Sequence, residues 1–260
     1  MRSLGIVGIA LGISALYFTV AWLISLQRRD ASVVDTFWGP GFLVLALAYA
    51  MLGAGFSGRK VLVVLLVALW ALRLAIHIFT RNRGKGEDYR YREMRAKAGA
   101  SFWWQSLFKV FMLQAVLLWV ISAPLMMAQR TWQPNHLTGW DVAGGIVWAL
   151  GLFFEAAGDW QLRRFKADPA NKGKVMRSGL WAYTRHPNYF GESLIWWGMF
   201  IIALGTPYGF LAVIGPIVIT FMLLRVSGVS MLEKGLKDTK PEYQEYAART
   251  SAFFPWFPKK

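Results

Sequence analysis

The sequence predicts an all-α integral membrane protein with seven transmembrane helices, and three observations support this fold class. Hydrophobic residues make up 56% of the chain. Charged residues make up only 17%, whereas soluble domains carry roughly 25%. Seven apolar segments have about the length needed to cross a hydrocarbon core of about 30 Å, the sixth being the shortest. They are Leu4–Leu26, Phe37–Gly55, Val61–Phe79, Gln105–Ala128, Asp141–Trp160, Phe190–Gly205 and Tyr208–Val229.

The ends of these segments predict how the chain is oriented. The first segment follows the start "MRS" and lacks an Ala-x-Ala cleavage site, so we interpret it as a retained helix rather than a signal peptide. Most lysines and arginines lie in the loops after the first, third and fifth helices and in the carboxy-terminal tail. The positive-inside rule then places the N-terminus outside and the C-terminus in the cytoplasm. We expect a single domain over residues 1–260, in a bacterial inner membrane.

Composition excludes several classes of function. The chain has no cysteine, so disulfides, thiolate catalysis and cysteine zinc sites are excluded. Its three histidines lie far apart in sequence, and we expect no metal site. The net charge of +15 is divided among short membrane loops, which favours contact with membrane lipids and argues against a nucleic-acid partner.

The glycines of "GAGFSG" match the G-x-G-x-x-G fingerprint of dinucleotide-binding loops. That fingerprint requires a strand before it and a helix after it. Here a membrane helix precedes Gly53, Gly55 and Gly58, and the charge pattern places them outside the membrane. We therefore interpret the segment as a turn between two helices.

The third loop carries the first cluster of candidate binding residues. Arg73, His77 and Arg81 are spaced four apart, so a helix places them in one stripe that reaches its cytoplasmic end. The following "NRGKG" sets two glycines among basic residues, an arrangement that can bring backbone N–H groups close to phosphate. A solvated basic loop is the alternative. The candidates for cofactor binding here are Arg81, Asn82 and Tyr91.

The fifth helix ends in "FFEAAGDWQLRRFK", which sets two carboxylates before several cations. Glu155 and Asp159 are one turn apart and face the same way, and Arg163 and Lys166 continue that face into the cytoplasm. Such a face suits a ligand with hydroxyls at one end and phosphates at the other. The alternative is a set of i,i+4 ion pairs, such as Asp159 with Arg163.

The segment "YTRHPNYFGE" concentrates polar groups at the start of the sixth helix. Pro187 interrupts the chain, and Asn188 is a residue type that caps helix starts. Arg185 and His186 add positive charge to the helix N-terminus, and Glu192 lies one turn inside.

Two further cations complete the cytoplasmic set, Arg225 within the seventh span and Arg249 in a tail whose aromatic end can fold back on the bundle. Together these groups predict an anionic, hydroxyl-bearing cofactor at the cytoplasmic mouth of a helix bundle. The apolar interior beyond that mouth suits a lipid-like substrate.

The segments "GLWAYTRHPNYFGESLIWWG", "DWQLRRFK" and "EYQEYAARTSAFFPWFP" resemble the steroid 5-alpha-reductase family over about Gly151–Pro258. "RLAIHIFTRNRGKGEDYRY" resembles its bacterial membrane branch. The resemblance implies a seven-helix membrane domain that binds NADPH and reduces the carbon–carbon double bond of a 3-oxo-Δ4-steroid. It puts Asp159, Asn188 and Glu192 on cofactor-binding positions of the family. It implies the same role for four cations: Arg163, Lys166, Arg225 and Arg249. Glu155 stands where the animal enzymes have asparagine, and Lys166 where they have arginine.

The substrate end departs from the family pattern. Animal members hold the substrate ketone with a Gln-Glu pair and a tyrosine, and no Gln-Glu pair stands in the first half of this chain. The nearest acid is Asp35 in "VVDTFWGPG". The tyrosine has two possible counterparts: it is replaced near His77 and Ile78, or its role falls to Tyr89 or Tyr91. Hydride transfer to an enone builds negative charge on the ketone oxygen, which a neutral carboxylic acid in a dry site can stabilise. We assign that role to Asp35 or Glu192, and the many bases favour NADPH over NADH.

Two other functions remain open at this point. "RHPNYFGE" also resembles isoprenylcysteine and phospholipid methyltransferases, which bind S-adenosylmethionine, and "LEKGLKDTKPEYQEYAART" suits that group too. Seven spans and many phosphate-seeking bases favour the reductase, because S-adenosylmethionine has no phosphate. A lipid transporter is a non-enzymatic alternative, but the inverted repeats and broken helices typical of transporters are not evident.

Overall fold

The structure, a computed structural model, describes residues 3–226, 228–230, 232–233, 235 and 242–259. Within these residues the regular structure is helical, and the one β-type pairing is an isolated bridge between Thr184 and Ser251. The predicted all-α class is confirmed. The α-helices are α1 (Ser3–Arg28), α2 (Val33–Leu52), α3 (Ser57–Asn82), α4 (Tyr89–Ala98), α5 (Phe102–Ser106), α6 (Leu113–Ile121), α7 (Ala123–Arg130), α8 (Gly139–Ala167), α9 (Pro187–Leu204), α10 (Ile214–Phe221) and α11 (Glu242–Arg249).

Six helical runs in the described part of the chain are long and apolar enough to cross a membrane, which indicates an integral membrane protein. They are Gly5–Arg28, Val33–Leu52, Ser57–Asn82, Tyr89–Ile121, Gly139–Ala167 and Gly209–Val226. The predicted sixth span, Phe190–Gly205, is present as α9 but is not among them. Its first turns contain Pro187, Asn188 and Glu192, and these residues lower the mean hydropathy of a short helix. Ser227, inside the predicted seventh span, lies outside the described residues.

Helix α3 shows why these helices suit a membrane. One face buries Val63, Val67 and Trp70 against the rest of the protein. The opposite face exposes Leu65 and Leu69, each by more than half. A helix that is apolar on both its packed and its exposed face is typical of a lipid environment.

The fourth span differs from its predicted bounds at both ends. Helix α4 leads into it through α5 and a π-helical segment, Leu107–Met112, so the helical run starts well before Gln105. Its carboxyl end is interrupted after Ile121, because Pro124 in the first turn of α7 cannot donate a backbone hydrogen bond to the preceding helix.

The chain folds into two compact units. The first contains Met1–Thr138 and Ala203–Ala212, and the second contains Gly139–Ile202 and Val213–Lys260. The expectation of one functional domain over residues 1–260 stays a prediction.

In the first unit, the glycines of the apparent nucleotide fingerprint have a packing role. A Cβ on Gly53 or Gly55 would lie within 2.4 Å of the carbonyl oxygen of Gln129. These glycines therefore let the α2–α3 turn approach the backbone of α7, in agreement with the interpretation as a turn.

In the second unit, α8 and α9 cross through glycines spaced seven residues apart. A Cβ on Gly144 would come within 2.6 Å of the carbonyl oxygen of Gly198, and one on Gly198 within 2.7 Å of that of Gly144. Gly151 and Gly191 form a second pair of the same kind. The order of these pairs shows that the helices run in opposite directions with their backbones in direct contact, as small residues permit in membrane helices. This contact sets the position of the α9 start beside α8.

Candidate functional site

Asp35 and Tyr91, predicted separately, form a hydrogen-bonded pair in the first unit. Tyr91 donates its hydroxyl proton to Asp35 Oδ1 at 2.8 Å, and Arg90 Nη2 donates to Asp35 Oδ2 at 2.8 Å. Asp35 lies in the first turn of α2, and Tyr91 is buried with 6% of its surface exposed. In this arrangement both Asp35 oxygens accept hydrogen bonds. Asp35 thus acts here as an acceptor, which gives no support to its expected role as a neutral acid, and the one hydroxyl proton of the pair lies on Tyr91.

The loop before α4 holds this pair in place. Asp88 caps α4 by accepting from the Arg90 backbone N–H at 3.0 Å, and Asp88 also binds the Arg90 side chain. Glu87 accepts from the Ala31 backbone N–H and from the Arg95 guanidinium, both at 2.8 Å. The loop thus connects α4 to the α1–α2 turn.

The two acids of that loop are stabilised in their ionised form. Burial by itself raises the pKa of Glu87, but hydrogen bonds from Arg95 and Ala31 outweigh it and leave the pKa below its usual value. Burial likewise raises the pKa of Asp88, and the hydrogen bonds from Arg90 outweigh it in the same direction. Both carboxylates therefore keep their ion pairs at neutral pH.

The remaining candidate residues of the first unit are more exposed than Tyr91. Tyr89 is 49% exposed, which sets it apart from the buried Tyr91 two residues later. Arg81 is exposed at the end of α3, and its Nε donates to the Asn82 side chain at 3.1 Å. The structure thus distinguishes the two tyrosines that the sequence left as alternatives.

In the second unit, the contact between α8 and α9 brings Asp159 and Asn188 together. Asn188 Nδ2 donates to Asp159 Oδ1 at 3.1 Å. Glu155, one turn before Asp159 on the same helix, is buried with 2% of its surface exposed, and Asp159 is 8% exposed. Glu192, in the second turn of α9, is half-buried. Two carboxylates and an amide thus line one side of the α8–α9 contact.

The start of α9 differs in one detail from the sequence interpretation. The helix begins at Pro187, a residue suited to the first helical position, so Asn188 is the second residue of the helix rather than the one before it. Its Oδ1 still accepts from a backbone N–H of the first turn, that of Tyr189, at 3.1 Å. Arg225 is exposed and lies in the π-helical segment Met222–Val226. The other predicted cations of this unit are also exposed: Arg163, Lys166 and Arg249.

Arg185 and His186 contact the carboxy-terminal part of the chain. Arg185 Nε donates to Glu233 Oε1 at 2.8 Å, and its Nη1 donates to the carbonyl oxygens of Ala247 and Thr250. The His186 Nε2 atom lies 3.2 Å from the same Glu233 oxygen. The Arg185 guanidinium therefore holds the tail, which gives this residue a positioning role.

The backbone continues this attachment. Arg185 N donates to the Ser251 carbonyl oxygen, Thr184 Oγ1 donates to that of Phe253, and Trp256 N donates to that of Tyr183, each at 2.9 Å. The prediction that the aromatic tail folds back is confirmed.

Glu233 is the residue of this attachment that the sequence did not single out. Nothing in its local pattern marks it, because its partners are about 47 residues away. The sequence offered one indirect sign of this contact: Glu233 is an acid in a basic tail, and the cations Arg185 and His186 stand at a helix start elsewhere in the chain.

The Glu233 contact predicts a defined loss of stability in acid. Burial raises the pKa of Glu233, but hydrogen bonds with His186 and Arg185 outweigh it and lower the pKa to about 2. A lowered folded-state pKa adds stability above pH of about 4.5, and this contribution disappears as the pH falls toward 2. We expect Glu233→Gln to lower the melting temperature at pH 7, and the difference from wild type to shrink between pH 4.5 and 2.

The control for this measurement is Glu245→Gln, since Glu245 is 57% exposed and makes only surface ion pairs. Thermal melts in detergent over this pH range should show little change for the control. Equal behaviour of the two variants would contradict the proposed role of Glu233.

These features define a class: a helical membrane protein with one acid–tyrosine–arginine cluster around a buried tyrosine and one acid–amide cluster at the start of a short helix. The chain belongs to the family described as "Protein of unknown function (DUF1295)", which it matches over residues 21–250. This family is associated with steroid 5-alpha-reductase-like membrane proteins.

Individual relatives say less about the function than the family does. An uncharacterised protein of Schizosaccharomyces pombe is 25% identical over 95% of this chain and 79% of its own length. A protein named probable O-methyltransferase from Ustilaginoidea virens is 36% identical, but over 25% of this chain and 23% of its own. No solved structure matches the chain significantly.

Proposed function

We propose that this protein is an NADPH-dependent membrane reductase that transfers hydride to the carbon–carbon double bond of an enone lipid, such as a 3-oxo-Δ4-steroid. The observation that carries the proposal is the hydrogen bond between Tyr91 and Asp35. The resemblance requires an acid and a tyrosine to hold the substrate ketone. The chain lacks the Gln-Glu pair in its first half, but it has a hydrogen-bonded acid–tyrosine pair in which the tyrosine is buried and the acid half-buried.

The pair has a definite role in this chemistry. Hydride addition to the β-carbon of an enone moves negative charge to the ketone oxygen, and a preorganised donor lowers the energy of that state. The Tyr91 phenol has a single hydroxyl proton, which it donates to Asp35 in the free protein. In this proposal the proton turns to the ketone oxygen when substrate binds, while Arg90 stays paired with the Asp35 carboxylate. We place Glu192 with the cofactor residues, because it lies about one helical turn after Asn188 on α9.

The residues of the second unit suit NADPH by their chemistry. Glu155 and Asp159 offer buried carboxylates for ribose hydroxyls, and Asn188 offers an oriented amide. Exposed cations are available for phosphates: Arg163, Lys166, Arg225 and Arg249. Arg81 and Asn82 of the first unit stay in the proposed set, whereas Tyr91 is now assigned to the substrate, and Arg185 and His186 act by holding the tail. When bound, NADPH supplies the hydride.

We further propose seven spans, with α9 as the short one, a cytoplasmic C-terminus and a bacterial inner-membrane location. The charge pattern of the loops supports this orientation. The partners are then the enone lipid and the surrounding membrane lipids.

Ligand titration tests the proposal. We expect saturating NADPH to raise the melting temperature of the detergent-purified protein, because a ligand that binds only the folded state adds about 2.7 kcal/mol at 100 times its Kd. Asn188→Ala and Glu192→Ala should lose most of this gain. Asn135→Ala, which changes an exposed asparagine of the first unit, should keep it.

S-adenosylmethionine is the second ligand, chosen because of the local similarity to the protein named O-methyltransferase. Stabilisation by S-adenosylmethionine alone would replace the reductase with a lipid methyltransferase. Stabilisation by neither ligand would contradict both enzymes and favour a lipid transporter.

A further inference from the structure

A cleft in the first unit lies beside the amino-terminal part of the fourth span. Its volume is about 420 Å³, within the range of roughly 300–1,000 Å³ usual for small-molecule sites. The lining comes from α4, Ser101, α5 and the π-helical segment Leu107–Met112. Both charged residues in it are lysines, Lys97 and Lys109. We propose that this cleft binds the headgroup of an anionic phospholipid.

The polar groups of the cleft are already oriented. Lys109 Nζ donates to Gln105 Oε1 at 2.6 Å, and Gln105 Nε2 donates to Ser101 Oγ at 2.6 Å. An ammonium group has three donors, so the bond to Gln105 leaves two for an anion. The hydrogen-bonded row thus holds the Lys109 charge at the cleft. The acids needed to neutralise the two lysines are missing from the residues that line it.

The position along the span supports a lipid as the occupant. The helical run Tyr89–Ile121 has 33 residues, whereas about 20 cross the hydrocarbon core. The 20 or so residues that end at Ile121 begin near Ser101, so the cleft lies at the boundary between hydrocarbon and water. Trp103 and Trp104 are exposed there by 57% and 46%, as interfacial tryptophans are.

The π-helical backbone is a further sign of a site. Lys109 lies inside Leu107–Met112, and single π-helical turns within α-helices occur frequently at functional positions. A lysine whose only role is to reach the headgroup region does not need an oriented glutamine or a cleft. The charge of the cleft, its volume and its depth in the membrane all fit a phosphate-bearing lipid.

The experiment compares lipids on the full chain in a non-ionic detergent. We expect phosphatidylglycerol to raise the melting temperature with a saturable dose dependence, and phosphatidylcholine to have much less effect. Lys97→Gln combined with Lys109→Gln should weaken the apparent affinity for phosphatidylglycerol by about tenfold or more, since each cation near an anionic surface contributes on the order of 1 kcal/mol.

The matched control is Lys85→Gln combined with Lys172→Gln, which removes the same charge from exposed positions outside the cleft. It should bind phosphatidylglycerol like the wild type. Equal losses in both double variants, or equal effects of the two lipids, would overturn the proposal. Equal stabilisation by inorganic phosphate alone at matched concentration would replace the lipid with a free anion.

Discussion

Gly191→Ala is expected to destabilise the protein by about 3 kcal/mol, the upper end of the usual cost of overpacking. The added methyl group would lie 2.4 Å from the backbone nitrogen of Glu155 and 2.5 Å from the carbonyl oxygen of Gly151. Both atoms belong to helical backbone, which cannot rotate aside as a side chain can. Helix α9 must therefore shift away from α8, and the Asn188–Asp159 contact shifts with it.

Helix α8 offers a matched control within one dipeptide. A Cβ on Gly144 would meet the Gly198 carbonyl oxygen at 2.6 Å, whereas one on Gly145 meets nothing within 4 Å. We expect Gly144→Ala to destabilise the protein like Gly191→Ala. Gly145→Ala should be neutral or stabilising by up to about 1 kcal/mol, because alanine favours the helix. Unfolding in detergent measures all three, and equal stability of the Gly144 and Gly145 variants would exclude the close crossing.

Tyr91→Phe is expected to lower the rate of enone reduction by about 10²–10³-fold, the usual cost of one lost donor to a developing oxyanion. The change removes one oxygen atom and leaves the ion pair between Asp35 and Arg90 at 2.8 Å. The protein should therefore remain folded and still be stabilised by NADPH. Oxidation of NADPH in the presence of a 3-oxo-Δ4-steroid measures the rate.

Tyr89→Phe is the control for this experiment, because Tyr89 is two residues away on the same helix and 49% exposed. Its rate should stay within a factor of two or so of wild type. A large loss in the Tyr89 variant with a normal Tyr91 variant would reverse the assignment of the donor. Normal rates in both would remove the acid–tyrosine pair from the mechanism.

The sequence was sufficient for the helices and for the types of residue at the site. Apolar runs predict membrane helices because lipid leaves the backbone no other hydrogen-bond partners. Helical spacing alone placed Glu155 and Asp159 on one face. The same local rules left the fourth span misplaced, because its polar start continues as helix through a π-helical segment.

Only the tertiary structure decided which of these residues touch. Asp35 and Tyr91 are 56 positions apart, and Asp159 and Asn188 are 29 apart, so no local pattern connects them. Burial separated Tyr91 from Tyr89, although both stand in the same short motif. The structure also showed that Arg185 holds the tail through Glu233, because a guanidinium can bind an anion of a ligand or of the protein itself.

The glycines of α8 and α9 show the same difference between what the sequence predicts and what the tertiary structure decides. The spacing of Gly144, Gly151 and Gly158 is visible in the sequence, as is that of Gly191 and Gly198. Gly145 looks like its neighbour in sequence, yet the structure leaves it in open space. The sequence by itself thus determined the helices, since these depend on local hydrogen bonds and side-chain polarity. The contacts between the helices depend on which faces of distant segments meet. Only the tertiary structure decided these contacts.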